Sequence, residues 1–298
     1  MWAQQERFAD MARFRETAAA FGYDAIEASH STDEAGLLTL MDGRLPALSS
    51  LHAPVPHRYL AGGRRNGDAN LASTDAAQRE TALAETKRTI DYAADAGVRY
   101  VVVHLGGVGD ERCDLEDHLR VLYESGERQG DAWRHAQDAL RDWRRQTRGP
   151  YFEAAKRSLD ALVEYAAPRR VALGLESRLS YNEFPHPDEA LEFLEPYDNA
   201  VAGFWYDTGH CEVQARLGMI DRSLWFPRLT PRMLGAHLHD VNGLLDHRAP
   251  GNGSLDWAYV AAAIPPDTLR VLEINQHEPD SLVAGAIDSL RIRGVLAL

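Results

Sequence analysis

Cysteine is scarce. The 298 residues hold only Cys113 and Cys211, far apart and at neither a zinc-knuckle nor a redox spacing, so a disulfide framework is excluded and two reduced thiols are expected. Long hydrophobic runs are missing too: 45% of the chain is apolar, yet no uninterrupted stretch reaches membrane-spanning length. The opening MWAQQERFADMARF lacks both the basic flank and the apolar core of a secretory signal. These absences predict a soluble cytoplasmic protein without a membrane partner. Positive charge is also short, with 32 Lys and Arg against 45 Asp and Glu and a formal charge of −13. Such a field repels a polyanion, so no nucleic-acid partner is expected. The Arg-rich pieces AGGRRNGD and DWRRQTRG are short and read as solvated surface.

What is present is alternation. Short β-rich runs occur at 23–28, 48–53, 98–105, 170–176, 200–207, 234–240 and 269–274, separated by helical stretches. The segment 74–97 opens on a Thr-Asp cap signal and ends at Gly97. The segment 151–168 sets Phe152, Ala155, Leu159, Leu162, Val163 and Ala166 on one face before Pro168. Strands buried on both faces and alternating with helices specify a parallel α/β fold. The number of units predicts a (β/α)8 TIM-type barrel, one domain over 1–298. Only seven strands are visible, because a helix over 4–22 stands where a first strand belongs: either a strand precedes this sequence or the barrel closes without it. The stretch from about 106 to 150 exceeds one crossover, and 131–146 within it predicts an extra helix in a lid or an interface.

His52, His104, Glu176, Asp207, His237 and Glu273 fall at or near the C-terminal ends of predicted strands, which in a barrel is the catalytic rim. Glu176, Asp207, His237 and Glu273 lie 31, 30 and 36 residues apart in turn, each close to the roughly 30 residues of a βαβ unit. Three carboxylates converging on one point repel and raise one another's pKa, whereas a divalent cation offsets the repulsion and takes the histidine as a neutral nitrogen ligand. This oxygen-rich set suits one ion of Mn²⁺, Co²⁺, Mg²⁺ or Zn²⁺, with positions open for substrate. Other residues carry two readings. Glu27 binds substrate or caps a strand end; Arg178 and Tyr181 reach substrate hydroxyls or lie on a surface loop; Asn275 and His277 support the ligands or are exposed. Phe204 and Trp205 alternate across their strand and are expected in the core, and Trp257 is expected to anchor the helix it begins.

The series SLHAP, VVHLGG, LGLESR, YDTGH, AHLHDVNG, DHRAPGNGSLDW and LEINQ resembles the xylose isomerase-like barrel superfamily, which holds sugar isomerases and epimerases, inosose dehydratases and endonuclease IV. The resemblance implies that Glu176, Asp207, His237 and Glu273 are metal ligands, that His210 contacts substrate or a second metal, and that His247 lies over the site. His52, His104, Arg178 and His239 complete the expected substrate contacts, although His239 stands where many members carry lysine. Only Arg178, Arg248 and the GGVG loop at 106–109 could cradle a phosphate, so an unphosphorylated sugar, polyol or keto-sugar derivative is expected. The implied activity is a metal-dependent isomerase or epimerase that transfers a proton through an enediolate, with Glu176 and Glu273 as the acid–base pair. The alternatives are a lyase or hydratase on a keto-sugar derivative, an endonuclease IV-like phosphodiesterase, and a non-catalytic subunit. Related barrels assemble, so a homo-oligomer or hetero-complex is among the expectations.

Overall fold

The computed structural model describes residues 1–109 and 113–297. Its strands run β1 (Ala25–Ala28), β2 (Ala47–His52), β3 (Tyr100–Val103), β4 (Ala172–Glu176), β5 (Ala202–Asp207), β6 (Met233–Leu238), a small antiparallel hairpin of β7 (Asp240–Asn242) and β8 (Leu245–Arg248), and β9 (Leu269–Leu272). The seven outside the hairpin form one parallel sheet in the order β1-β2-β3-β4-β5-β6-β9. Helices α1 (Met11–Ala20) and α2 (Glu34–Leu40) flank β1. Next come α3 (Ala76–Asp95), α4 (Asp114–Glu124), α5 (Gly130–Ala166), α6 (Pro187–Leu194), α7 (Thr208–Arg216), α8 (Trp257–Ala263), α9 (Asp280–Ala284) and α10 (Ala286–Ile292). This is the expected TIM-type barrel, nearly closed with seven strands. Among the described residues β1 and β9 do not pair, and an apolar cavity of about 440 Å³ lies at the seam between Phe14, Ile26 and Leu272.

The strands are apolar because both their faces are covered: every residue of β4, β5 and β6 is buried. Trp205 fills the barrel interior with Val102, Ala172 and Leu234. It fits because the flanking strands carry Gly174 and Gly235, where a Cβ would run into the indole. Phe204, one residue earlier, points outward and stacks on Trp225 at 5.5 Å. The alternation expected of the pair is therefore present, as is the Asp75 cap of α3, whose carboxylate accepts from Ala77 N at 2.8 Å.

Two helix expectations need correction. The helix expected over 4–22 starts late: two short 3-10 turns precede α1, whose N-cap is Asp10. The helices expected at 131–146 and 151–168 are one, the 37-residue α5, with Pro150 in its interior. An internal proline costs about 3 kcal/mol. Here a buried stripe runs straight through it, from Trp133, Leu140 and Arg144 to Phe152, Leu159 and Leu162, and tertiary packing outweighs the local break. The first half of α5 joins α4 in a satellite core against Val213 of α7 and Val241 of β7, so the insertion bears on the helix that leaves the candidate site.

Arg144 fixes this layer to the barrel, donating from Nη1 and Nη2 to the two Glu189 oxygens at 2.7 and 2.8 Å. The neighbouring His186 donates to Tyr181 O at 2.8 Å, and burial together with Arg144 pushes its pKa down to about 3. Between pH 6.5 and 3 the unfolded chain therefore takes up a proton at His186 that the folded chain does not. Stability falls with acidification over that window, by up to about 1.4 kcal/mol per pH unit. Urea titrations at pH 7 and pH 5 should show the wild type losing about 1–2 kcal/mol more than His186→Asn; equal losses would remove His186 as the cause.

Candidate metal centre

Glu176 ends β4, Asp207 ends β5, His237 is the last residue but one of β6, and Glu273 directly follows β9. Parallel register sets them on one rim, Asp207 opposite His237 in the β5–β6 pairing. The convergence is tight: His237 Nδ1 stands 3.2 Å from Glu176 Oε1, 3.2 Å from Glu273 Oε2 and 3.7 Å from Asp207 Oδ2. Donors coordinating a common ion at 2.0–2.2 Å with tetrahedral angles stand about 3.4 Å apart, so the set matches a metal's first shell. The residues are 0%, 0%, 0% and 7% exposed in chain order. Burial disfavours the His237 cation, yet Glu27, Glu273 and Glu176 hold its pKa well above the usual histidine range. The surrounding carboxylates thus favour a positive charge at this point, which a divalent cation would supply.

Glu27 does more than cap a strand. Its Oε1 accepts from His237 Nε2 at 2.9 Å and its Oε2 from Ser50 Oγ at 2.6 Å, which aims His237 Nδ1 at the cluster, where it would offer its lone pair to an ion. Sequence reading left this role open; its signal was a carboxylate at a strand end.

Asp207 caps α7, with Oδ1 accepting from His210 N at 2.7 Å. Gly209 is required in the Asp-Thr-Gly-His turn because a Cβ there would collide with the His239 ring. His239 accepts the His247 amide at Nδ1 (2.8 Å) and points Nε2 at Asp207, 2.9 and 3.0 Å from its two oxygens. It therefore supports Asp207 from behind, fully buried, rather than facing the mouth. His247 adopts a left-handed φ of 54° at the hairpin, a conformation that costs a non-glycine residue energy and that clusters at functional sites. Its Nε2 lies 3.6 Å from Glu273 Oε2, and Asp246 lies against its Nδ1 at 3.1 Å. His210 donates Nδ1–H to Ser177 O at 3.0 Å, leaving Nε2 for the mouth. Asp240 is no ligand: it accepts from Val241 N, Gly251 N, Leu255 N and Trp257 Nε1 and so holds the loop that follows β8, with Trp257 anchoring α8 as expected.

On the opposite side Glu176 Oε2 meets His52 Nε2 at 3.2 Å, His104 Nε2 at 2.5 Å and Arg178 Nη1 at 3.2 Å. Arg178 is no surface residue; Nη1 also lies 2.6 Å from His104 and Nε donates to Glu183 at 3.0 Å. Burial and Arg178 keep His104 neutral. Burial raises the Glu176 carboxyl, but His104, Arg178 and His237 hold it well below the usual carboxylate range. His30, absent from the expected set, packs edge-on against His52 at 5.2 Å with a buried Nδ1 that finds no partner among the described residues. Its position two residues beyond β1 was the only sequence signal.

Three donor groups overlap here: Glu176, Asp207, His237 and Glu273; Asp207, His210, His239 and His247; and His52, His104 and Glu176. The last already contains the Arg178 guanidinium, which repels a dication at that point. In the second, His239 is committed at both nitrogens. The first is the best ion site. The groups that could cradle a phosphate are engaged: the Gly107 and Val108 amides donate to Asn70 Oδ1 and Asn182 O, Arg248 pairs with Glu278 at 2.7 Å, and Arg178 is bound to Glu176 and Glu183.

The family model described as xylose isomerase-like TIM barrel matches residues 15–292. The chain is 26% identical over 245 residues to the uncharacterized protein y4fM of Sinorhizobium fredii (strain NBRC 101917 / NGR234), covering 80% of itself but only 65% of that relative. Among solved structures it is similar to D-psicose 3-epimerase with D-tagatose from Clostridium cellulolyticum H10, with a TM-score of 0.66, 16% identity, and coverage of 98% of this chain and 97% of that one. It is also similar to the TTHB071 protein of Thermus thermophilus, soaked with ZnCl₂, with a TM-score of 0.58, 22% identity, and 94% of each chain covered. At these identities the two structures share the fold.

Proposed function

Because the chain belongs to the xylose isomerase-like TIM barrel family, we propose that it is a metal-dependent isomerase or epimerase acting on an unphosphorylated sugar or keto-sugar derivative, by proton transfer through an enediolate. One observation carries this reading: Glu176 Oε1 and Glu273 Oε2, from strands on either side of β5 and β6, each come within 3.2 Å of the same His237 nitrogen. Two buried carboxylates thus address one small volume. Glu176, Asp207, His237 and Glu273 would hold one divalent ion, which when bound supplies a Lewis acid for the substrate's adjacent carbonyl and hydroxyl oxygens.

The two glutamates are not equivalent. Glu176 Oε2 is enclosed by His52, His104 and Arg178, whereas no described residue hydrogen-bonds to Glu273 Oε1. Burial raises Glu273, but His237 and His247 hold it well below the usual carboxylate range, so it enters the reaction ionised. Glu273 is accordingly the base that removes the carbon-bound proton, and Glu176 serves the opposite face. His210 Nε2 and Arg178 would orient hydroxyls. A lyase shares the first step and differs only in expelling a β-substituent.

The test is isotope exchange. Turnover of candidate ketoses in D₂O should introduce deuterium at the carbon beside the carbonyl. Turnover without exchange at any carbon would replace proton transfer with a direct hydride shift. The second reading, a multi-metal phosphodiesterase, draws on the two further donor groups that share Glu176 and Asp207; Arg178 inside one of them and the −13 charge weigh against it. Nicking of plasmid DNA by the metal-loaded protein would favour it.

A further inference from the structure

Beside the metal ligands the barrel mouth opens into a second space of about 690 Å³, bounded among others by Arg64, Asp68, His104, Arg178, Ser180 and Glu183. Most of its wall comes from the long β2–α3 connection and the loop after β4, neither of which supplies a ligand to the candidate ion site. Two residues, His104 and Arg178, face both spaces: each touches Glu176 and each lines the cavity. These two side chains therefore stand between Glu176 and the cavity. The volume falls within the roughly 300–1,000 Å³ of sites that hold drug-sized ligands, more room than a single pyranose ring fills.

The wall is polar and its charge is balanced. Arg178 is bound to Glu176 and Glu183. Arg64 donates to the Asp68 carbonyl, with the Asp68 carboxylate in the same wall. Two amides of the glycine loop, those of Gly107 and Val108, are taken by Asn70 and Asn182. No surplus positive charge remains for a phosphate. The wall holds both donors and acceptors, from Arg64, Asp68, Ser180 and Glu183 among others, which suits hydroxyl groups because each both donates and accepts.

We infer that this cavity is a subsite for a second, neutral sugar unit, so that the substrate is a glycoside or disaccharide derivative whose reacting ring sits at the metal ligands. The inference rests on the sugar-active reading of that centre. It deepens that reading by naming the substrate class.

Calorimetry on the metal-loaded protein tests it with D-glucose, D-fructose, glucose 6-phosphate, maltose, cellobiose and trehalose as probes. Two or three hydrogen bonds in the cavity should make at least one disaccharide bind about tenfold more tightly than either free monosaccharide. Gly67→Trp places an indole in the cavity from a position where an added Cβ meets nothing within 4 Å. It should abolish that advantage and leave monosaccharide affinity within about twofold; Arg64→Ala should reduce the advantage. Equal affinity for monosaccharides and disaccharides, tightest binding of glucose 6-phosphate, an undiminished advantage in Gly67→Trp, or no response to any disaccharide at millimolar concentration would each overturn the subsite. The readout is binding, so a disaccharide preference without carbon-bound deuterium exchange would count against the isomerase reading alone.

Discussion

Glu273→Gln is expected to lower kcat by about 10²–10⁴-fold, with KM changed by less than about tenfold, and to abolish exchange of the carbon-bound hydrogen with D₂O. A loss of that size corresponds to about 3–5 kcal/mol of transition-state stabilisation. It is the range expected when a positioned general base becomes an amide of the same shape. Glu176→Gln should lose turnover to a similar degree but behave differently in D₂O. If Glu273 removes the proton and Glu176 serves the opposite face, the Glu176 variant still exchanges label into recovered substrate while failing to form product. Oxygen placement supports this asymmetry: Glu176 Oε2 is occupied by two imidazoles and a guanidinium, and Glu273 presents an oxygen without such partners. Exchange retained in Glu273→Gln and lost in Glu176→Gln would interchange the two roles. Turnover within a few-fold of wild type in both variants would remove proton transfer by this pair. Metal content measured on the same preparations separates lost chemistry from a lost ion.

The rim was legible because parallel strands buried on both faces must be apolar. A lone Glu, Asp or His at the end of such a run is costly to bury unless something at the rim receives it. Four of them at βαβ spacing could therefore be read before any contact was known, and Glu176, Asp207, His237 and Glu273 do converge. Legibility stopped where meaning depends on partners distant in sequence. Arg178 read as easily on a surface loop as at a substrate, since nothing local shows that His104 and Glu183 would enclose it. The resemblance places His239 among the substrate contacts; only the His247 amide on its Nδ1, eight residues on and left-handed, and Asp207 at its Nε2 commit it to supporting Asp207. The β7–β8 hairpin had an unused signal, Gly243-Leu244, a two-residue loop that opens on a glycine at a φ of 62°. The single helix α5 read as two because a proline such as Pro150 weakens a helix locally, while the buried stripe that overrides it spans both sides of the break.

Asp207→Ala should leave the protein without bound metal. Among the described residues Asp207 belongs to both four-donor groups, the one with Glu176, His237 and Glu273 and the one with His210, His239 and His247. Its removal breaks either site, whichever is filled. The residue also caps α7 and receives His239, so the alanine variant is expected to lose about 1 kcal/mol of stability from the cap, partly offset by relief of repulsion among the remaining carboxylates. Asp207→Asn separates the two effects: its side-chain oxygen can still accept from His210 N, while the charge that holds a dication is gone. Elemental analysis of wild type should give one divalent ion per chain, and both Asp207 variants should fall to background with their far-UV spectra retained. Thermal unfolding supplies an independent check. Added Mn²⁺ or Zn²⁺ at about a hundred times Kd should stabilise the wild type by about 2.7 kcal/mol and leave both variants unmoved. His247→Ala removes a donor of the second group alone, though His247 also lies 3.6 Å from Glu273, and should keep the single ion if the first group is the site; a wild type with two ions that drops to one in His247→Ala would establish a dinuclear centre. Full occupancy in Asp207→Ala or Asp207→Asn would show that the ion is held elsewhere.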